Sequence, residues 1–120
     1  MHPCPSADAL QFLIGDSIAQ VWLDPYSLQF RFESSRHLFV GHRIEHAEPD
    51  GTLWTYDCQD TERGPLVLQR LLYCPIVTVE REDLRLTLRM KDGQSLTVLS
   101  DLGPYEAGYI DAPEIGLTAF

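Results

Sequence analysis

The stretch from Leu84 to Leu99, LRLTLRMKDGQSLTVL, constrains the fold more than any other part of this chain. Leu84, Leu86, Leu88 and Met90 alternate with Arg85, Thr87 and Arg89, so one face is apolar and the other polar. That period of two is the pattern of a half-buried strand. Lys91-Asp92-Gly93-Gln94 breaks the alternation with residues suited to the positive φ of a tight hairpin turn, and Leu96 and Val98 resume it. A hairpin with one apolar face must bury that face against a second layer.

The chain contains an echo of this hairpin. Leu28, Phe30 and Phe32 alternate with Gln29, Arg31 and Glu33, and Leu38 and Val40 follow after Ser34-Ser35-Arg36. Upstream, Ser6 is placed to cap a short helix over Ala7 to Ile14 that Gly15 would end, and Ile18 to Leu23 reads as a strand closed by Asp24-Pro25-Tyr26. In the second half Pro65 suits the first turn of a helix over Leu66 to Tyr73, Pro75 stops it, and Ile76 to Arg81 is the next strand.

Leu10, Leu13, Ile14, Ile18 and Val21 correspond to Leu68, Leu71, Leu72, Ile76 and Val79, each pair 58 positions apart. Leu28, Phe30 and Phe32 align with Leu84, Leu86 and Leu88 at an offset of 56, and Leu38 and Val40 with Leu96 and Val98 at 58. The expected fold class is α+β and mostly antiparallel β. It would hold two tandem repeats of a helix plus a three-stranded meander, related by pseudo-twofold symmetry, with the halves packed face to face or joined in one curved sheet. The 120 residues make one domain by size, with halves at about 6–48 and 64–100. Between the halves, Arg36 to Gly41 is a strand that could continue through His42 to Glu48, and Asp50-Gly51 turns the chain into a strand over Thr52 to Asp57. Residues 101–120 supply an edge segment.

The net charge is −9, and its placement is uneven. Residues 44–62 hold Glu45, Glu48, Asp50, Asp57, Asp60 and Glu62 without a Lys or Arg, and residues 92–120 hold five acids with none. Such a distribution keeps a protein dispersed in water and also steers a basic partner toward it. It opposes contact with phosphate, so no nucleic acid is expected as a partner. The first residues do not read as a signal peptide and no apolar run of about 18 residues occurs, so a cytoplasmic location without membrane insertion is expected.

Cys4, Cys58 and Cys74 are odd in number and widely spaced, which indicates reduced thiols, with Cys58 in a polar loop open to solvent. His37, His42 and His46 read as surface histidines, because spacing of four along a strand separates two rings by about 13 Å, too far for a shared metal ion. No phosphate-binding glycine loop, nucleophile elbow or recognisable acid pair is present, and neither an enzyme nor a cofactor is indicated. Trp54 and Tyr56 share a strand face inside the first acid segment. Either they belong to the core or they form an exposed aromatic pair that anchors an interface.

Leu13-Ile14-Gly15, Val21, Leu28-x-Phe30-x-Phe32, Lys91-Asp92-Gly93 followed by Leu96, and Tyr105-Glu106-Ala107 followed by Ile110 together resemble a family of small bacterial proteins of unknown function. Some of its relatives resemble the immunity proteins that accompany polymorphic or secreted antibacterial toxins. Gly108 departs from the pattern, which often has an aromatic residue after the Tyr-Glu step. The resemblance implies an immunity protein that binds and neutralises a cognate toxin, and it carries no catalytic residues. The partner surface expected from the residues is Glu45, Glu48, Asp50, Trp54, Tyr56, Asp57, Asp60 and Glu62. The alternative is a small-molecule binding module or minor enzyme with a cavity between the halves.

Overall fold

A computed structural model describes residues 4–60, 64–101 and 106–120. In chain order the strands are β1 (Ile18–Asp24), β2 (Ser27–Phe32), β3 (His37–Val40), β4 (Arg43–Ala47) and β5 (Leu53–Asp57), then β6 (Ile76–Glu82), β7 (Arg85–Met90), β8 (Ser95–Leu99), β9 (Gly108–Ala112) and β10 (Gly116–Ala119). They form two five-stranded antiparallel sheets, ordered β1-β2-β3-β9-β10 and β5-β4-β8-β7-β6.

The two helices expected from the sequence are only short 3-10 turns, Asp8–Leu13 and Leu68–Leu71, so the fold is mostly antiparallel β. Each turn buries only one pair of anchors, too little apolar face to hold a longer helix. Leu10 and Leu13, and again Leu68 and Leu71, are the buried residues, and a separation of three places both on one side of a 3-10 turn. The Ser6 hydroxyl accepts the Ala9 N–H at 3.2 Å at the first turn's start, and Gly15, at φ +90°, ends it. Pro65 to Val67 are not helical.

The meanders β1-β2-β3 and β6-β7-β8 form as the alternation predicts, but each sheet is completed by a hairpin from elsewhere in the chain. His42 to Ala47 does not extend β3; after Gly41 the chain crosses to the other sheet, where β4 pairs with β8 from Arg43↔Leu99 to Ala47↔Ser95. In return β9 pairs with β3 from His37↔Asp111 to Val40↔Gly108. The C-terminal segment therefore supplies an interior strand, β9, and only β10 is an edge. Both exchanges satisfy strand edges that the meanders would otherwise leave unpaired.

The register also corrects the offset of 56. Phe30 pairs with Val21 and Leu38, and Leu88 with Val79 and Leu96, so Phe30 stands where Leu88 does, 58 positions on. Leu84 lies in the turn before β7 and is half-buried, and Met90 occupies the place matching Phe32. A register break falls between Ile18 and Gln20 and again between Ile76 and Thr78. Alternate residues of both sheets, among them Ile18, Leu28, Phe30, Leu38 and Val40 from one and Ile44, Ile76, Leu86, Leu88, Leu96 and Val98 from the other, join one hydrophobic core. Burying such side chains contributes about 1.5–3 kcal/mol each.

Candidate functional site

The acid segment read from the sequence is placed on β4, on β5 at the sheet edge, and on their flanking turns, but several of its residues already have intramolecular partners. Glu45 holds Arg85 of β7 at 2.5 Å. Glu48 accepts the indole N–H of Trp54 at 2.9 Å and pairs with Arg70; the indole bond and then the guanidinium hold its carboxyl below the usual range. Asp50 closes a turn by accepting the Thr52 N–H at 2.9 Å, which lowers its pKa, and the Asp57 carboxylate accepts the Gln59 N–H at 2.9 Å. Trp54 and Tyr56 are half-buried, and Tyr56 packs on the core. Asp60 is exposed, and Glu62 lies outside the described residues.

Two expectations about exposure are overturned. Cys58 is fully buried, its thiol directed to the Val40 carbonyl at 3.6 Å, because β5 leads straight into the crossover between the sheets. His46 is fully buried as well, since it faces the core from β4 between Trp54 and Leu96. Its Nε2 meets the Gln94 side-chain carbonyl at 2.7 Å, while Nδ1 has no partner among the described residues. The Gln94 amide then donates to the Arg70 carbonyl at 2.6 Å and to Asp92 at 2.7 Å. Cys74 sits 3.2 Å from the same carboxylate; burial and then that charge raise its thiol pKa, which makes it a poor nucleophile. Among the described residues no group of three His, Cys, Asp or Glu could hold a metal ion.

The other sheet carries an ion cluster. Asp16 accepts from the Ser34 hydroxyl at 2.5 Å and pairs with Arg36 at 2.9 Å, and Arg36 pairs with Glu114 at 2.9 Å. Arg36 also lies 4.9 Å over the ring of Phe12. The cluster ties the start of β1 to the β2–β3 and β9–β10 turns, and its groups are saturated by one another.

What the fold does bring together is the two acid segments. At the crossover, Cys58 donates its N–H to the His42 carbonyl and Gly41 its N–H to the Ala107 carbonyl, each at 2.7 Å, and the Gln59 amide reaches the Gly41 carbonyl at 2.9 Å. The resulting concavity, about 320 Å³, is lined by Gly41, His42, Gln59, Asp101, Glu106 and Ala107. A second cleft of about 340 Å³ adjoins it, lined by Phe39, Glu106, Gly108, Tyr109, Leu117 and Ala119. Glu106 belongs to both. Phe39 and Tyr109 stack at 4.9 Å with their planes 6° apart.

Sequence reasoning placed the aromatic component at Trp54 and Tyr56 and missed Phe39 and Tyr109. The signal was present in the alternation: Phe39 lies between the core residues Leu38 and Val40, and Tyr109 precedes the core residue Ile110, so both rings point away from the core.

On the outer face of the other sheet, a wider groove of about 570 Å³ runs over Thr87 and Thr97, flanked by Glu45, Glu80 and Glu82 and by Arg81, Arg85 and Arg89. Its carboxylates and guanidiniums balance, and two pairs are already closed, Glu45–Arg85 and Glu80–Arg89. No helix in the described residues is long and apolar enough to cross a membrane. Comparison with family models, with curated proteins and with solved structures found no match to this chain.

Proposed function

We propose that this protein is a cytoplasmic immunity protein that binds a cognate bacterial toxin, a basic one that acts on nucleic acid, and neutralises it by covering its charged surface without catalysis or a cofactor. The observation that carries this reading is the meeting of two segments free of Lys and Arg, 44–62 and 92–120, at the β3–β4 crossover, where Asp101 and Glu106 line a concavity beside Gln59. An acidic surface raises the association rate with a basic partner, and the half-buried rings of Phe39 and Tyr109 beside it supply area that resists dissociation.

The partner surface therefore runs from Asp57 and Asp60 across the crossover to Glu106 and Tyr109. Glu45 and Glu48, neutralised by Arg85 and Arg70, contribute less. The test is co-purification of the protein with the product of the adjacent gene, followed by association kinetics at two salt concentrations. Stable capture with salt-sensitive association supports the proposal, and absence of binding to a basic neighbour overturns it.

The same reading extends to the architecture. The chain is a tandem duplication with pseudo-twofold symmetry, each half a 3-10 turn, a meander and a hairpin given to the opposite sheet. The equal registers of β1-β2-β3 and β6-β7-β8 support this, as does the equal placement of the register breaks. A second reading, as a small-molecule module or minor enzyme, has the 570 Å³ groove in its favour, a size common for ligand sites.

A further inference from the structure

We infer that the cleft beside Tyr109 receives one arginine side chain of the partner, with the guanidinium over the ring and its charge met by Glu106. This rests on the proposal that the partner is a basic protein. Phe39 and Tyr109 occupy paired positions on β3 and β9 and stack on each other, which uses one face of the tyrosine. On the other side, the residue paired with Tyr109 is the small Ala119 of β10, the His37 ring meets the tyrosine edge-on at 6.2 Å, and the half-buried Tyr109 lines the cleft. Leu117, 69% exposed, stands at the rim as an apolar wall for a methylene stem.

The charge at the mouth is of one sign. Glu106 is exposed and lines both the cleft and the adjoining concavity, which Asp101 also lines, and no Lys or Arg is among the described residues lining either. A ring face, an apolar wall and a carboxylate are the elements that hold a planar guanidinium, which stacks on aromatic rings and forms paired bonds to a carboxylate. This chain uses the same combination internally. Arg36 lies 4.9 Å over Phe12 while Asp16 and Glu114 hold its nitrogens at 2.9 Å, and Arg31 lies 5.1 Å over Trp22. A lysine ammonium, compact and strongly hydrated, fits a ring-lined cleft less well.

The inference is tested by titrating the full chain with acetyl-Gly-Arg-Gly-amide and following the Tyr109 ring and Leu117 methyl resonances by NMR. The same tripeptide with citrulline, which keeps the shape and loses the charge, is the control. The arginine peptide should shift both sets of resonances and bind about tenfold more tightly than the citrulline peptide, a difference within the range of a cation–π contact joined to an ion pair. Glu106→Gln, at an exposed position outside the strands, should remove most of that difference with the fold intact, and Tyr109→Leu should weaken both peptides. Equal affinity for the two peptides, or shifts confined to residues away from the cleft, overturns the inference. If the arginine peptide fails while the neighbouring gene product still binds, the cleft assignment is wrong and the immunity reading stands; the reverse outcome keeps the cleft and removes that reading.

Discussion

Gly15 donates its backbone N–H to the carbonyl of Ile76 at 2.8 Å, and the bond is returned in kind: Tyr73 donates to the carbonyl of Ile18 at 2.9 Å. Both donors follow a 3-10 turn, and both have positive φ, +90° for Gly15 and +61° for Tyr73. The reciprocal pair joins each turn to the first strand of the other meander, β6 or β1.

The two donors should respond oppositely to substitution. Gly15→Ala, although its new methyl group would meet nothing within 4 Å, should lose about 1 kcal/mol from the left-handed backbone alone. Tyr73→Gly relieves that strain at a side chain 65% exposed, so stability should hold or rise slightly. Denaturant unfolding of both variants checks this; equal losses would mean that the tyrosine ring contributes packing that its exposure does not suggest.

The register of β7 is tested by a pair of leucines. Leu86→Ala, at a fully buried position, should cost about 2–5 kcal/mol, and Phe30→Ala, which removes a fully buried ring, about 3–5 kcal/mol. Leu84→Ala, in the preceding turn, should cost less than about 1 kcal/mol. Similar losses at 84 and 86 would restore the offset of 56 between the meanders.

Asp16 makes stability depend on pH. Burial acts to raise its pKa, but the bonds from Ser34, Arg36 and the Ser17 N–H outweigh it and the net direction is downward. A carboxyl whose folded pKa lies below its unfolded value stabilises the fold above the unfolded value, about 3.9, and loses that contribution as pH falls through the folded one. Asp16→Asn should therefore cost about 3 kcal/mol at neutral pH, leaving Arg36 short of a partner, and the difference from the parent chain should shrink below pH 4. A constant difference between pH 7 and pH 2 would place the effect outside this ion pair.

Gly108 is held to glycine by close packing. A methyl group there would stand 2.3 Å from the Phe39 carbonyl oxygen and 2.9 Å from the Phe120 ring. Gly108→Ala should cost about 3 kcal/mol by forcing β9 away from β3, and it should release the fully buried Phe120. Faster amide exchange in β9 and β10, with β6 to β8 unchanged, is the expected pattern; uniform loss of protection would show that the sheets do not loosen separately.

Replacing Asp57, Asp60 and Glu62 with Ser should slow association with the toxin and flatten its salt dependence. At position 57 the serine hydroxyl that replaces the carboxylate can still accept the Gln59 N–H and keep the turn closed. Association rates at low and high salt measure this. Unchanged rates with reduced binding of Glu106→Gln would shift the contact to the C-terminal side of the crossover.

The alternation of Leu86, Leu88 and Met90, or of Leu28, Phe30 and Phe32, determined the meanders by itself, because the side-chain direction of a strand is a local property with a fixed period. The turns at Asp50-Gly51 and Asp92-Gly93 were equally legible, since Gly51 and Gly93 adopt the positive φ that glycine permits. The true helical content was not, because two leucines three apart fit one turn of either helix type. Only the tertiary structure decided that β4 pairs with β8 and β9 with β3, a choice among edges of similar local character that depends on closing both sheets over one core. That choice buries His46 and Cys58, neutralises Glu45 with an arginine 40 residues away, and brings Phe39, Glu106 and Tyr109 to one cleft. None of these follows from spacing along the chain, because each depends on which distant edge a strand comes to rest against.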